Sequence, residues 1–497
     1  MKLLKVSLAA SIALGALSTA SFAQPLEDAI RGVDVSGYLR YRFNDDRQNF
    51  GTAPADKNRG LQAHWWRAQA DFKTPTTNNI ALNLGLWYNN QNANVNHGKG
   101  NSNPAPAAPF LQSEAGTGAG ADQGTFGVQS FYATITPDST ATTILAGKQL
   151  LNTPVTNAAD GDRGTGILAL NSDLPGLTLA AGFFDSWAIN DGYGLTNPNI
   201  TNPQINPITG QLIPQFGGRH WNGSANLGSN NTVDENLYVL AGIYSLDTDV
   251  GTFGGQLWGF YIDNAVDALI FGELSWKNSL LRAKLQYTYA ALNNDDDSVF
   301  ATLHGIAANS GNKANIVADN DLVVLELGVN TTADFDIPFD ARIGYITNFA
   351  SGTSVALEDE GTNMSRAGKI WWQDPSLGFS TSALRPYGAQ AFGGEQTINV
   401  FYGALGYAFV DGRLNTGLEF ATGTNERKWD KMRGDNKDKA DFFEIAPTVS
   451  WKHTDQLTLS AFYAYLQESF KDNRGSEVNG WDDKKRQRVR FEARYDF

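Results

Sequence analysis

The chain has 497 residues, 51 of them glycine, with no cysteine, 18% charged residues and a formal net charge of −14. That acidity disfavours a nucleic-acid partner, and the missing cysteines exclude disulfides and thiol catalysis. Glycine and aromatics (11%) at this level, with three methionines, suit many strands and turns better than a helical protein.

The N-terminus comes first. Met1-Lys2-Leu3-Leu4-Lys5 is a charged start, Val6 to Leu17 an apolar run and Ser21-Phe22-Ala23 a small-x-small cleavage signal, so residues 1–23 read as a signal peptide and 24–497 as one domain. Loss of Lys2 and Lys5 takes the mature charge from −14 to −16. No later stretch supplies the ~18 uninterrupted apolar residues of a membrane helix. An exported chain of this kind is soluble, secreted or an outer-membrane barrel, and a negative mean hydropathy fits a barrel that shows lipid only every second residue.

About 18 amphipathic stretches follow, each near the ten residues that a tilted strand needs to cross a bilayer. The first is Val33 to Phe43 and the second Gln62 to Lys73, closed by the turn Thr74-Pro75-Thr76-Thr77-Asn78. Tight turns recur after the even-numbered stretches, at Pro137 to Thr140, Asn171 to Gly176, Asp247 to Gly251, Lys277 to Ser279, Thr331 to Ile337, Asp411 to Arg413 and His453 to Gln456. Long polar segments follow nearly every odd one, and Asp263 to Val266 is the short exception. This parity predicts an all-β transmembrane antiparallel barrel of 18 strands with short periplasmic turns and long extracellular loops. Alternation is poor in Gly255 to Asp263 and Leu457 to Gln467, where both faces carry apolar groups; such strands face either a subunit interface or an inward-folded loop. The chain ends on Val489, Phe491, Ala493, Tyr495 and Phe497 alternating with Arg488, Arg490, Glu492, Arg494 and Asp496, the pattern of a closing strand with one apolar and one wet face.

Nothing in the sequence singles out a catalytic group. His64, His97, His220, His304 and His453 show no metal-ligand spacing; His64 is the best candidate for a barrel hydrolase, and His453 reads as a turn residue. Acidic runs at Asp295-Asp296-Asp297, Glu358-Asp359-Glu360 and Asp482-Asp483 lack EF-hand spacing and read as solvated loop faces. A basic wall is the stronger signal. If the last strand pairs with the first, Arg488, Arg490 and Arg494 lie beside Arg40 and Arg42, with Arg67 on the next strand, while Asp160, Asp162 and Asp185 and the strand residues Glu273, Glu326 and Glu419 are available to oppose them. Lys148 completes the predicted pore-lining basic set. The expected protein is a passive pore for small hydrophilic solutes and ions in the outer membrane, in contact with lipid and lipopolysaccharide; a surface adhesin or structural protein is the alternative.

A family resemblance rests on Pro25-Leu26-Glu27-Asp28-Ala29-Ile30, Val33-Asp34-Val35-Ser36-Gly37, Leu39-Arg40-Tyr41-Arg42, Ala146-Gly147-Lys148-Gln149, Gly164-Thr165-Gly166, Gly176-Leu177-Thr178-Leu179-Ala180-Ala181, Ser460-Ala461-Phe462-Tyr463 and the C-terminal strand. Over nearly its full length the chain resembles the Campylobacter-type major outer-membrane porins. The resemblance implies an 18-stranded barrel, a homotrimer, and an inward-folded constriction loop after Lys148-Gln149-Leu150-Leu151-Asn152. It also implies a weakly cation-favouring diffusion pore with a calcium ion associated with the constriction, for which Asp160 and Asp185 match the acidic positions; no cofactor is otherwise required. Where that family commonly has Trp-Thr-Asp-Asn, this chain has Val155-Thr156-Asn157-Ala158, and Asp162-Arg163 replaces an apolar pair.

Overall fold

The computed structural model describes residues 32–49, 59–96, 125–159, 161–188, 235–303, 309–357, 363–373, 383, 390, 393–428, 437–472 and 483–497. The expected signal peptide, Asp160, the run 358–360, Asp482 and His97, His220 and His304 lie outside them.

Strands β1 (Asp34–Asn49), β2 (Arg59–Lys73), β3 (Ile80–Asn96), β4 (Thr125–Ile135), β5 (Thr142–Leu150), β6 (Arg163–Asn171), β7 (Leu177–Ala188), β8 (Leu237–Thr248) and β9 (Gly251–Ile262) form the first half of one antiparallel sheet. It continues through β10 (Val266–Lys277), β11 (Leu281–Leu292), β12 (Asp319–Asn330), β13 (Phe339–Thr347), β15 (Glu395–Phe409), β16 (Leu414–Lys428), β17 (Lys437–Lys452), β18 (Leu457–Asp472) and β19 (Asp483–Asp496). The two-residue β14 (Gly352–Thr353) runs parallel to β12 at one end, and β13 pairs with β15 past it, so the wall has 18 strands. β19 pairs with β1 from Tyr38↔Asp496 to Asn49↔Lys485, which closes the sheet and removes its edges. The turn after each even-numbered strand up to β12 is short, as is the β15–β16 turn, where Val410, Asp411 and Gly412 take positive φ.

Period-two side chains explain why this sheet sits in a membrane. On β1 Val35 and Leu39 point outward and are more than half exposed, and on β9 Phe253, Leu257 and Tyr261 are likewise exposed on the outer face. The alternate residues turn inward, where one side of the lumen is packed like a protein interior. Trp258, Phe260 and Ile262 of β9, Leu269 and Phe271 of β10, and Val324 of β12 lie in this core beneath Val355, Leu357, Trp371 and Trp372 of the β13–β15 connection. The doubly apolar stretch Gly255 to Asp263 therefore has an outward apolar face and an inward-folded loop against its other face. Ala464 and Leu466 of β18 are fully buried in the same core, which accounts for the second doubly apolar stretch.

Candidate channel constriction

Two connections fold inward. The first, residues 151–162 between β5 and β6, is tied by Thr156 Oγ1 donating to the Leu151 carbonyl (2.8 Å) and by the buried Asp162 carboxylate accepting from the Asn157 N–H (2.6 Å). Val155 is wholly buried against the lumen core. The second, residues 363–373, was not expected from the sequence. Asn363 Nδ2 donates to the carbonyls of Thr153 (2.7 Å) and Thr156 (3.1 Å), and the Leu357 N–H donates to the Val155 carbonyl (2.9 Å), so the loops brace each other.

The second loop is pinned to the wall by carboxylates. Glu444 of β17 is fully buried and accepts from the backbone N–H groups of Lys369, Ile370 (3.0 Å) and Trp371 (2.7 Å). Glu419 of β16 accepts from the Gly368 N–H (3.0 Å) and the Lys369 ammonium (2.5 Å). Arg342 Nη2 donates to the Arg366 carbonyl (2.7 Å) while its Nη1 meets Glu326 at 3.3 Å, and Lys284 Nζ donates to Ser365 Oγ (3.0 Å). A buried carboxylate costs several kcal/mol to desolvate, which three backbone donors offset at Glu444.

Opposite stands the basic wall. Because register opposes like faces, Arg40 faces Arg494 on β19 and Arg67 on β2, Arg42 faces Glu492 and Trp65, Asn44 faces Arg490, and Asp46 faces Arg488. Arg42 Nε meets Glu492 at 2.6 Å and Arg488 Nε meets Asp46 at 2.5 Å, both half-buried pairs. Arg490 Nε donates to Asn44 Oδ1 (2.7 Å), and its guanidinium lies 5.3 Å over Phe462 and 5.9 Å over Trp65. Arg494 sits over Tyr38 at 4.0 Å and pairs with Asp496. The ends of the row are fixed to the two loops. Arg67, buried over Trp87 at 5.1 Å, donates to the Ala159 carbonyl of the first loop (2.5 Å), and Arg488 Nη1 donates to the Lys369 carbonyl of the second (3.4 Å). Aromatic shelves and loop anchors hold these long side chains in place, so the field they impose is fixed rather than averaged away.

Not every candidate residue joins this cluster. Lys148 pairs in register with Phe131 and Thr165, both exposed on the outer face, and its ammonium caps the Val128 carbonyl; it is not pore-lining, because its place in the period-two pattern turns it away from the lumen. Asp185 is the extra residue of a β-bulge between the pairs Gly166↔Phe184 and Thr165↔Ser186 and is exposed. Asp162 serves as the brace of the first loop. Glu273 accepts from Gln286 Nε2 at 2.6 Å. His64 lies in an aromatic cluster with Tyr41, whose hydroxyl is 2.9 Å from its Nδ1, and His453 is 3.3 Å from Trp451 Nε1 in the β17–β18 turn. Among the described residues no three acidic or imidazole groups converge as a metal cage.

A closed antiparallel barrel with apolar outer positions, inward-folded loops and a charged lumen wall defines an outer-membrane channel of the porin class. The chain belongs to the Campylobacter major outer membrane protein family, whose profile matches residues 1–497. A comparison with curated proteins finds no significant match. Among solved structures it is similar in fold to Acinetobacter baumannii OccAB1 (13% identity, 93% of this chain and 97% of that one, TM-score 0.54) and Pseudomonas aeruginosa OpdL (12%, 93% and 99%, 0.52). Pseudomonas aeruginosa OccK2 (OpdF), solved in complex with glucuronate, is similar at 11% identity over 93% and 98% of the chains, with a TM-score of 0.51. Family and fold together support an outer-membrane channel.

Proposed function

We propose that the protein is a passive diffusion channel for small hydrophilic solutes and ions, weakly cation-selective, working as a homotrimer after removal of residues 1–23. The observation that carries the reading is the lumen itself: two loops narrow it against a wall whose arginines are partly countered by Glu492 and Asp46 at ion-pair distance. Countered arginines leave a path that cations can share, and the acidic balance of the chain enriches cations at the mouths within the ~8 Å screening length of physiological salt. The loops are braced by protein groups, so no resident metal is needed to hold the constriction. A calcium ion held by Asp160 and Asp185 would supply hard-ion charge and an additional brace there.

For the assembly, the outer face of β6 to β10 carries an apolar depression of about 680 Å³ in which Ala181, Gly242 and Gly259 are flanked by Leu179, Leu240 and Leu257. Small residues let a second barrel approach closely, which supports this face as the contact between copies. Purified protein in planar bilayers should give stepwise ohmic conductance and a reversal potential of cation-selective sign in a salt gradient. Silence across many insertions counts against the channel; an anion-selective potential counts against the selectivity.

A further inference from the structure

We infer that the extracellular half of β4 is a docking edge on which a second copy of this chain lays an extended segment, completing the barrel wall. This rests on the homotrimer proposed above and names a place where one copy is incomplete without another. β4 and β5 pair only from Phe131↔Lys148 to Ile135↔Ile144. Beyond that ladder residues 125–130 stay paired with β3 on one side and, among the described residues, with no strand on the other. The cause lies in the path of the chain. β5 ends at Leu150 and the chain leaves the wall at Leu151 to form the first inward loop, so the neighbour that β4 needs has turned into the lumen. With nine residues each, β5 and β6 leave the wall low here.

An open edge at this height is costly. Lys148 stands six positions above Thr142, the first residue of β5, whereas a tilted strand takes about 9–11 residues to cross the bilayer. The free edge therefore begins at membrane depth, where lipid cannot satisfy exposed backbone groups. One group shows the need. The Val128 carbonyl points to the β5 side and accepts from the Lys148 ammonium, a side chain standing in for the missing strand. In an extended strand the N–H of the same residue faces the same way, as do both groups of Phe126, and another backbone supplies donors and acceptors at that spacing. The side chains suit a protein contact, for Phe126 is 70% exposed and Val128 is exposed beside it. Below Lys148 the outer face runs on through Ile144 and Ala146 of β5 and Ile167 and Ala169 of β6 into the apolar depression of β6 to β10. A copy seated on that depression reaches the β4 edge two strands away, which makes a second copy the occupant.

Photocrosslinking of the full-length protein in outer-membrane vesicles tests this. A benzophenone amino acid replaces Phe126 or, as a control, Phe401, which is also exposed on the outer face but lies across the barrel on β15. Irradiation should give a product of twice the chain mass from position 126 and none from position 401. V128P removes one donor from the edge, where proline is tolerated because no strand of the same chain uses that N–H. It should keep heat-modifiable migration and lose the doubled product from position 126; should V128P misfold, F126P repeats the test by native mass in mild detergent, with a shift from trimer to monomer expected. A trimer in which position 126 links only to lipid or within its own chain overturns the docking edge and leaves the homotrimer standing. A wild type that is monomeric by native mass overturns both. A doubled product undiminished by V128P shows side-chain contact without strand pairing and overturns the augmentation.

Discussion

The backbone of Phe497 exchanges both hydrogen bonds with Gly37, N to O at 3.0 Å and O to N at 2.9 Å, so the last residue of the chain is stitched to the first strand. A Cβ on Gly37 would lie 2.1 Å from the Gln69 carbonyl oxygen and 2.9 Å from the Phe497 ring. Only glycine lets the terminal ring lie flat across the seam. G37V is therefore expected to lower barrel stability by about 1–3 kcal/mol, the usual range for overpacking. Urea unfolding of the refolded barrel, followed by heat-modifiable migration, checks it; an unchanged midpoint would show that the seam relaxes freely.

Across the same seam Glu492 places a negative charge among the arginines of the lumen wall. Its removal leaves Arg42 uncompensated. At about 7 Å in a water-like medium one charge is worth ~0.6 kcal/mol to a passing ion, with opposite sign for cation and anion, so E492Q should lower the cation-to-anion permeability ratio by up to about sevenfold. Reversal potentials in a salt gradient measure this. A ratio that does not fall would place the selectivity elsewhere, at the mouths.

Glu444 acts on the second loop through its backbone. E444A removes the acceptor for three N–H groups of residues 369–371, which then lie buried without partners. Each unsatisfied donor costs ~1–3 kcal/mol, enough to release the loop from the wall. Single-channel conductance should rise and become noisier, while E444Q, which keeps one accepting oxygen and turns a donor NH2 toward the remaining N–H groups, should fall between. Equal conductance in all three proteins would mean that Trp371 and Trp372 hold the loop by packing alone.

The barrel was legible because period-two alternation and turn parity are local signals, and the closing strand Arg488 to Phe497 carries both. The arginine row followed from pairing the last strand with the first. Its counter-charges did not, because ending the first strand at Phe43 left Asn44 and Asp46 in a loop, whereas β1 runs on to Asn49. Glu492 was visible in the same alternation as Arg490 and Arg494, and extending the register by hand would have set it against Arg42. The second inward loop was out of reach: what folds residues 363–373 into the lumen is a contact with Glu444 some 75 positions away and with Thr153 more than 200 positions back. Its one sequence trace was the loss of alternation in Gly255 to Asp263 and Leu457 to Gln467, which the loop covers.

The outer depression offers a test of assembly that spares the barrel. A Cβ on Gly259 meets nothing within 4 Å, so G259W should fold while its indole fills the space between Leu257 and Tyr261. If copies meet on this face, native mass in mild detergent should shift from trimer to monomer with heat-modifiable migration retained. A trimer that persists would move the contact to another face.

Asp173 supplies a pH test at the periplasmic end. In the β6–β7 turn its carboxylate accepts from Thr140 Oγ1 (2.5 Å), the Ala141 N–H (2.5 Å) and Asn171 Nδ2 (2.6 Å), and these bonds, that from Thr140 foremost, hold its pKa below the usual carboxylate value. A carboxyl whose folded pKa is depressed stabilises the fold fully above its unfolded pKa near 4, and that contribution fades as pH falls through the lower folded value. Asp173 is fully exposed, so solvent screens the effect and the change should be small. D173N should lower the urea midpoint at neutral pH, and the difference should shrink as pH falls far enough to protonate the native carboxylate as well. If the two proteins differ by the same amount at both ends of the range, the ionised form of Asp173 carries none of the stability of this turn.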